Sequence, residues 1–474
     1  MMERNQPDEL SLEHILKELD QCADLNHRSF PELAADIVYF PHSVDNTLFI
    51  QEVLEPFSRI QLPEMDRMLR QSQFVRMSDP KTAVIGILEG NVAIFHRGKV
   101  YLLNVSGPEV RNVQSSETET VISGPHDAFV ESAFTNLSLI RRRLKSPHLK
   151  IRKYAVGEIS KTAVYVLYIQ DIANMKMVEE LERRIQRIET DALNDGGKLT
   201  QFIEDMPNSV FPQFLTTERP DVAVSKLTAG RIIMMIDNSP TALSAPASFF
   251  EFFSSPDDYY QRWALGTALR LLRFIALLIT ITFTAMYVSV TTFHYEMIPE
   301  ALLRTLAESR NRVPFPPVYE ALLMEIMIEL LREAGARLPS KIGQTIGIVG
   351  GIVIGQAAVQ AGLTSNVLII AVASSAIASF VIPSYMMSAS IRLIRFGVII
   401  LAGIWGNMGL VIGMALIVIH LSGLTSMGTS YITPVAPMKP GDWKDVFIRA
   451  PFSMLRSRPT QTLTNNKIRQ KNRE

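Results

Sequence analysis

The chain has 474 residues, 47 basic and 47 acidic, so it carries no net charge and offers no electrostatic case for a nucleic-acid partner. Its mean hydropathy is positive, +0.15, although 20% of its residues are charged. The single cysteine, Cys22, excludes an intrachain disulfide and a thiolate metal site.

Charges are frequent as far as Arg273 and then scarce until Lys439. This predicts an α/β soluble amino-terminal half, built of two small α/β subdomains, followed by an all-α multi-span membrane domain. Residues 1–30 are polar and read as a flexible arm, without the apolar run of a cleavable signal. The first subdomain is expected over 31–146. There "TAVIGILEGNVAIFHRGKVYLLNV" reads as short strands broken at Glu89-Gly90 and at Arg97-Gly98-Lys99. The basic run "SLIRRRLKSPHLKIRK" fits a solvated helix end or a subunit contact, with anionic lipid headgroups as the other reading.

The second subdomain is expected over 147–256. "LKIRKYAVGEI" and "TAVYVLYIQ" are strand-like. "NMKMVEELERRIQRIET" is an amphipathic helix with Val178, Leu181, Ile185 and Ile188 on one face, and "GRIIMMID" is a buried strand. Asp237, at the end of that strand, has no evident partner in the sequence.

The membrane domain is expected over 257–425, with spans at about 270–293, 342–361, 367–387 and 396–420. An interfacial helix at 318–334 lies between the first two. Its Glu325, Glu329 and Glu333 fall at i, i+4, i+8 on one narrow face, either solvated or drawing cations to a pore mouth. The tail, 426–474, is basic. Four spans put both ends on one side, and Arg262, Arg270, Arg273 and the tail favour the cytoplasm for it. Arg392 and Arg395 then fall in an outer loop, against that rule.

In "GQTIGIVGGIVIGQAAVQAG", Gly343, Gly347, Gly351 and Gly355 recur every fourth residue. Each glycine costs a helix about 1 kcal/mol relative to alanine, so the row needs a reason. Close helix packing supplies one. Gln356 and Gln360 share the face opposite Gly343 and Gly347, above Val349, and must meet protein or water rather than lipid. An interhelical hydrogen bond and a water-lined path both satisfy them. In the next span Ser374, Ser375, Ser379 and Pro383 fit hydroxyls bonded to their own helix and a kink. No phosphate-binding glycine loop, HExxH, GxSxG or CxxC is present, and the eight histidines lack ligand spacing. Neither an enzyme, a cofactor nor a metal is expected.

Four stretches carry a family resemblance: "GPHDAFVESAFTNLSLIRRRLKSP", "YEALLMEIMIELLREAGARLPSKIGQTIGIVGGIVIGQAAVQAGLTSN", "RLIRFG" and "SYITPVAP". In this order they resemble the A subunits of GerA-type spore germinant receptors, over about residues 35–460. The chain departs at Ser123, where the family commonly has arginine, and at "IDNSP", where it often has an Asp-Gly turn. The resemblance implies a protein of the spore inner membrane, with soluble domain and tail facing the cytoplasm or spore core. It implies a transporter-like B subunit and a lipoprotein C subunit as partners, the B subunit recognising the nutrient. It further implies a homo-oligomeric ring, proposed to be a pentamer, acting as a nutrient-gated ion channel. On that footing the glycines pack and the opposite face lines a pore. Val349, Val353, Gln356, Val359 and Gln360 are its candidates, the valines closing it by dewetting.

Overall fold

The computed structural model describes residues 10–107, 116, 119, 123–337, 353 and 355–470. Two five-stranded sheets form the soluble half. The first holds β1 (Asn26–Phe30), β2 (Ala35–Tyr39), β3 (Phe74–Met77), β4 (Asn91–His96) and β5 (Lys99–Asn104) in the order β1-β2-β4-β5-β3, all pairs antiparallel. The second holds β6 (Leu149–Val156), β7 (Thr162–Ile169), β8 (Leu215–Thr217), β9 (Ile232–Ile236) and β10 (Ala242–Ala245), again all antiparallel, in the order β6-β7-β9-β10-β8.

Residues 10–30, expected as an arm, belong to the first subdomain. Helix Leu12–Glu18 buries Ile15, and Leu19 and Cys22 join the same core beside Val38 and Phe40. The stretch "TAVIGIL" is helical, not a strand. In α1 (Pro80–Leu88), Pro80 opens the first turn and Asp79 accepts from the Thr82 amide at 2.9 Å. Ala83, Val84 and Ile87 then face the sheet at helical spacing.

Helix α2 (Ala133–Arg143) packs on the second sheet, so this subdomain takes in residues expected in the first. Asp237 finds its partner here, accepting from the Ala133 amide at 3.1 Å. Part of the basic run is paired within the chain. Arg141 grips Asp24 through two bonds of 2.9 and 3.0 Å, Arg143 meets Asp127, and Lys145 meets Glu89 at 2.8 Å. Helix α3 (Met175–Gln186) buries Val178, Leu181 and Ile185, and α4 (Pro220–Thr228) covers the face toward α2.

Among the described residues two helices are long and apolar enough to cross a membrane. The first, α5 (Trp263–Phe293), has 31 residues and a length of roughly 46 Å. After it come α6 (Pro317–Arg337), α7 (Asn366–Phe380) and the 39-residue α8 (Tyr385–Gly423). Leu271, Ile275 and Leu278 on α5, and Ile400, Ile404, Val411 and Ile419 on α8, are exposed large apolar side chains. Such a continuous outward band suits lipid.

The last expected span, 396–420, is not one straight crossing. Gly406 has φ 61° and ψ −139°, a conformation open to glycine, and the helix turns back there. Ser390 donates to the Val210 carbonyl, and His420 Nε2 lies 2.9 Å from Ser209 Oγ. Residues 30 apart in a straight helix would be about 45 Å apart. The two arms close tightly because Gly409 lies against the Leu401 carbonyl and Gly413 against Val398. The expected span 342–361 falls mostly outside the described residues. The expected span 367–387 is the 15-residue α7, stopped before Pro383, with Ser384 capping α8.

Candidate functional site

Helix α6 enters the bundle instead of lying at an interface, and its charges explain why. Glu325 is fully buried. Its Oε2 lies 2.5 Å from Arg395 Nη2, and its Oε1 accepts from the Thr284 hydroxyl of α5 at 2.9 Å. One helical turn on, Glu329 meets Arg392 at 3.1 Å. Arg395 also donates to Ser375 on α7 at 2.8 Å, and that hydroxyl continues to the Thr280 carbonyl at 3.1 Å. Arg392 donates to Ser388, which donates to the Ser379 carbonyl. Arg332 completes the row, donating to Ser379 Oγ at 2.9 Å with its guanidinium 4.3 Å from the centre of the Phe380 ring.

The network thus ties four helices together through two carboxylates, three guanidiniums and four hydroxyls. Its formal charge is +1 if all five ionisable groups are charged. A charge among apolar helices is expensive unless paired, so ionisable residues there mark function by default. Toward the turn of the hairpin a polar set repeats the theme. Tyr287 and Ser365 share a 2.8 Å bond, Ser365 donates its amide to Glu320 at 3.2 Å, and Ser289 donates to Asn407 at 2.7 Å.

The expected acidic face is therefore divided. Glu325 and Glu329 point into the bundle at arginines, and only Glu333 stays exposed, paired with Arg337 at 2.6 Å. Arg392 and Arg395 lie in buried helix rather than an outer loop, because the carboxylates of α6 draw them in. Of the glycine row, Gly343, Gly347 and Gly351 lie outside the described residues, as does Val349. Gly355 is buried, with Ile369 of α7 3.9 Å from where a Cβ would stand. Val353, Gln356 and Gln360 are exposed and Val359 is half-buried. Among the described residues of this face, none meets the charge network.

The sequence held a signal for the pairing: acids at i, i+4 in one apolar helix and arginines at i, i+3 in another. No group of His, Cys, Asp and Glu side chains among the described residues is placed to hold a metal.

The soluble half is anchored to this bundle. Asp258, fully buried, accepts from Arg270 at 2.9 Å and Arg273 at 2.8 Å in the first turns of α5. The tail returns to the same end, where Asp445 accepts from the Tyr259 hydroxyl at 2.7 Å.

The Bacillus/Clostridium GerA spore germination protein family matches residues 13–461. Spore germination protein GerQA of Bacillus cereus is 43% identical over 447 residues, which cover 91% of this chain and 88% of that protein. Spore germination protein KA of Bacillus subtilis is 38% identical over 450 residues, covering 92% and 82%. Spore germination protein B1 of Bacillus subtilis is 37% identical over 475 residues, covering 97% and 98%. Among solved structures, the N-terminal domain of the A subunit of the Bacillus megaterium spore germinant receptor GerK3 is 26% identical. It covers 50% of this chain and 94% of its own, with a TM-score of 0.39. With the match running through both sheets and the membrane helices, the chain belongs to the GerA family of spore germination proteins.

Proposed function

We propose that this chain is the A subunit of a nutrient germinant receptor in the spore inner membrane, and that copies of it form a nutrient-gated ion channel. The partners are a transporter-like B subunit, which meets the nutrient, and a lipoprotein C subunit. The soluble domain and tail face the cytoplasm or spore core. The observation that carries this reading is a helix bundle apolar outside and charged within, in a chain of this family. Within one copy, Val353, Gln356 and Gln360 are left uncovered, and a ring of copies gives amides away from lipid a place to face. In that ring the glycine row packs, Val349, Val353 and Val359 form the dewetting constriction, and Gln356 and Gln360 line the path. Nutrient binding by the partner biases a closed–open equilibrium.

The test is ion flux in liposomes holding the receptor, with and without the B subunit and nutrients. Val349→Ala or Val353→Ala is expected to give constitutive flux, and Gln356→Ala or Gln360→Ala to alter ion selectivity. A receptor that folds, assembles and binds nutrient, yet conducts in none of these forms, refutes the channel. The chain would then be a relay that passes nutrient binding to a separate channel.

A further inference from the structure

A cavity of about 770 Å³ lies where the second sheet, the tail and the turn between α7 and α8 meet. That volume matches small-molecule sites, which are mostly apolar with a few placed polar groups. Its apolar wall includes Phe250, Phe252 and Phe452, with Tyr259 and Tyr260 beside them.

The acids that line it already have donors. Asp221 is held by Arg219 at 2.7 Å and by the Tyr260 hydroxyl at 2.5 Å. Asp442 accepts from Thr460 and Asp445 from Tyr259. Glu119 accepts from the Thr217 hydroxyl at 2.8 Å. Glu251 takes two cations, Lys226 on one oxygen and Arg231 at 2.7 Å on the other. With both cations charged, this buried triad has a formal charge of +1, and burial pushes the Lys226 ammonium below its ordinary range. Arg231 is 4% exposed and Gln461 5% exposed. Among the described residues, Arg231 Nη1 and Gln461 Nε2 have no hydrogen-bond partner. Glu251 Oε2 also lacks a hydrogen bond but has its ion pair to Arg231, so what is left unmet along this wall is donor capacity, and a buried donor left unmet is costly.

We propose that this cavity binds a small molecule with one carboxylate and an apolar body. The carboxylate sits against Arg231 and Gln461, and the body sits among the aromatic rings. The site is separate from the membrane charge network and does not depend on whether the chain conducts.

The test is calorimetric titration of benzoate into the full-length protein in neutral phosphatidylcholine nanodiscs, with benzamide as the uncharged match. Benzoate is expected to bind and benzamide not. Arg231→Met leaves Glu251 paired with Lys226, and Gln461→Leu leaves every ion pair intact. Each is expected to weaken benzoate about tenfold or more. If Arg231→Met does not fold, Gln461→Leu decides the matter alone. No benzoate binding, equal binding of benzamide, or unchanged affinity in the variants overturns the proposal. So does loss of benzoate binding in phosphatidylglycerol nanodiscs, which would make a lipid headgroup the occupant. Failure of the channel reading would show in ion flux, which this titration does not measure.

Discussion

Glu325 and Arg395 provide the sharpest test of the buried network, because their two deletions differ in a way that can be worked out. Both side chains are fully buried, and each has one other hydrogen bond, to Thr284 for the acid and to Ser375 for the base. Removing one member of a buried pair costs about 3–5 kcal/mol. In Arg395→Met, however, Glu325 can take up a proton. For a carboxyl of ordinary acidity that costs about 3.7 kcal/mol at pH 7 and about 1 kcal/mol at pH 5. In Glu325→Leu the stranded guanidinium has no such escape, since arginine stays charged at both pH values. Arg395→Met is therefore expected to recover by roughly 2–3 kcal/mol relative to wild type between pH 7 and pH 5, while Glu325→Leu does not. The double variant, apolar on both sides, should fall well short of the sum of the two. Unfolding of the full-length protein in mixed detergent micelles, titrated with dodecyl sulfate at both pH values, measures all four quantities. Equal pH responses of the single variants, or additive energies in the double, would sink this account of the network.

His42 predicts a pH dependence in the soluble half. Burial pushes its imidazole down to about 4, with Arg141 acting the same way and Asp24, 3.3 Å away, opposing. The folded chain holds His42 neutral while the unfolded chain takes a proton below about 6.5, so this stability is complete above about 6.5 and lost as pH falls toward about 4. Between pH 7 and pH 5 the loss is about 2 kcal/mol, and His42→Gln should remove that part of the slope in thermal melts of the full-length protein. Gly406 and Gly397 give a contrasting pair. A Cβ at Gly406 would stand 2.8 Å from the His294 ring at positive φ, whereas nothing lies within 4 Å of one at Gly397. Gly406→Ala is expected to destabilise by about 1–3 kcal/mol and Gly397→Ala to stabilise by about 0.5–1 kcal/mol. If both substitutions stabilise in the same unfolding assay, the hairpin turn is not there.

What the sequence made legible was local. Strands β6, β7 and β9 and helix α3 follow from alternation and helical spacing, and the apolar core of α5 follows from hydropathy alone. Helix α1 was hidden because "TAVIGIL" is rich in β-branched residues, although Asp79-Pro80 before it is a helix start. The hairpin was hidden because hydropathy stays high through its turn, and a mean over many residues cannot register one backbone angle at Gly406. The charge network was hidden for a different reason. Glu325 and Arg395 are 70 positions apart, and each read alone looks like a solvated or interfacial residue. Only the fold places one before the other. The arginines that broke the charge rule for loops were therefore the strongest clue that they were not in a loop.

The same helices that hold the network also hold the soluble half. On α5, Arg273 binds Asp258 at one level and Thr284 binds Glu325 eleven residues, roughly 16 Å, further along. On the hairpin, Ser390 binds the Val210 carbonyl, and Arg392 and Arg395 follow within two turns. The returning arm ends at His420 beside Ser209 of the same soluble loop, and Tyr431 donates to Pro212 at 2.6 Å. A displacement of residues 209–212 therefore pulls on both ends of the hairpin at once, and a tilt at Asp258 pulls on α5. Neither can slide freely, because each helix is fixed a few turns deeper by a buried ion pair or a hydroxyl bound to one. Such pairs exchange partners or hold; they do not stretch by degrees in an apolar surrounding. On the channel reading, a signal entering through the second sheet would reach the membrane as a discrete rearrangement of Glu325, Glu329 and their arginines.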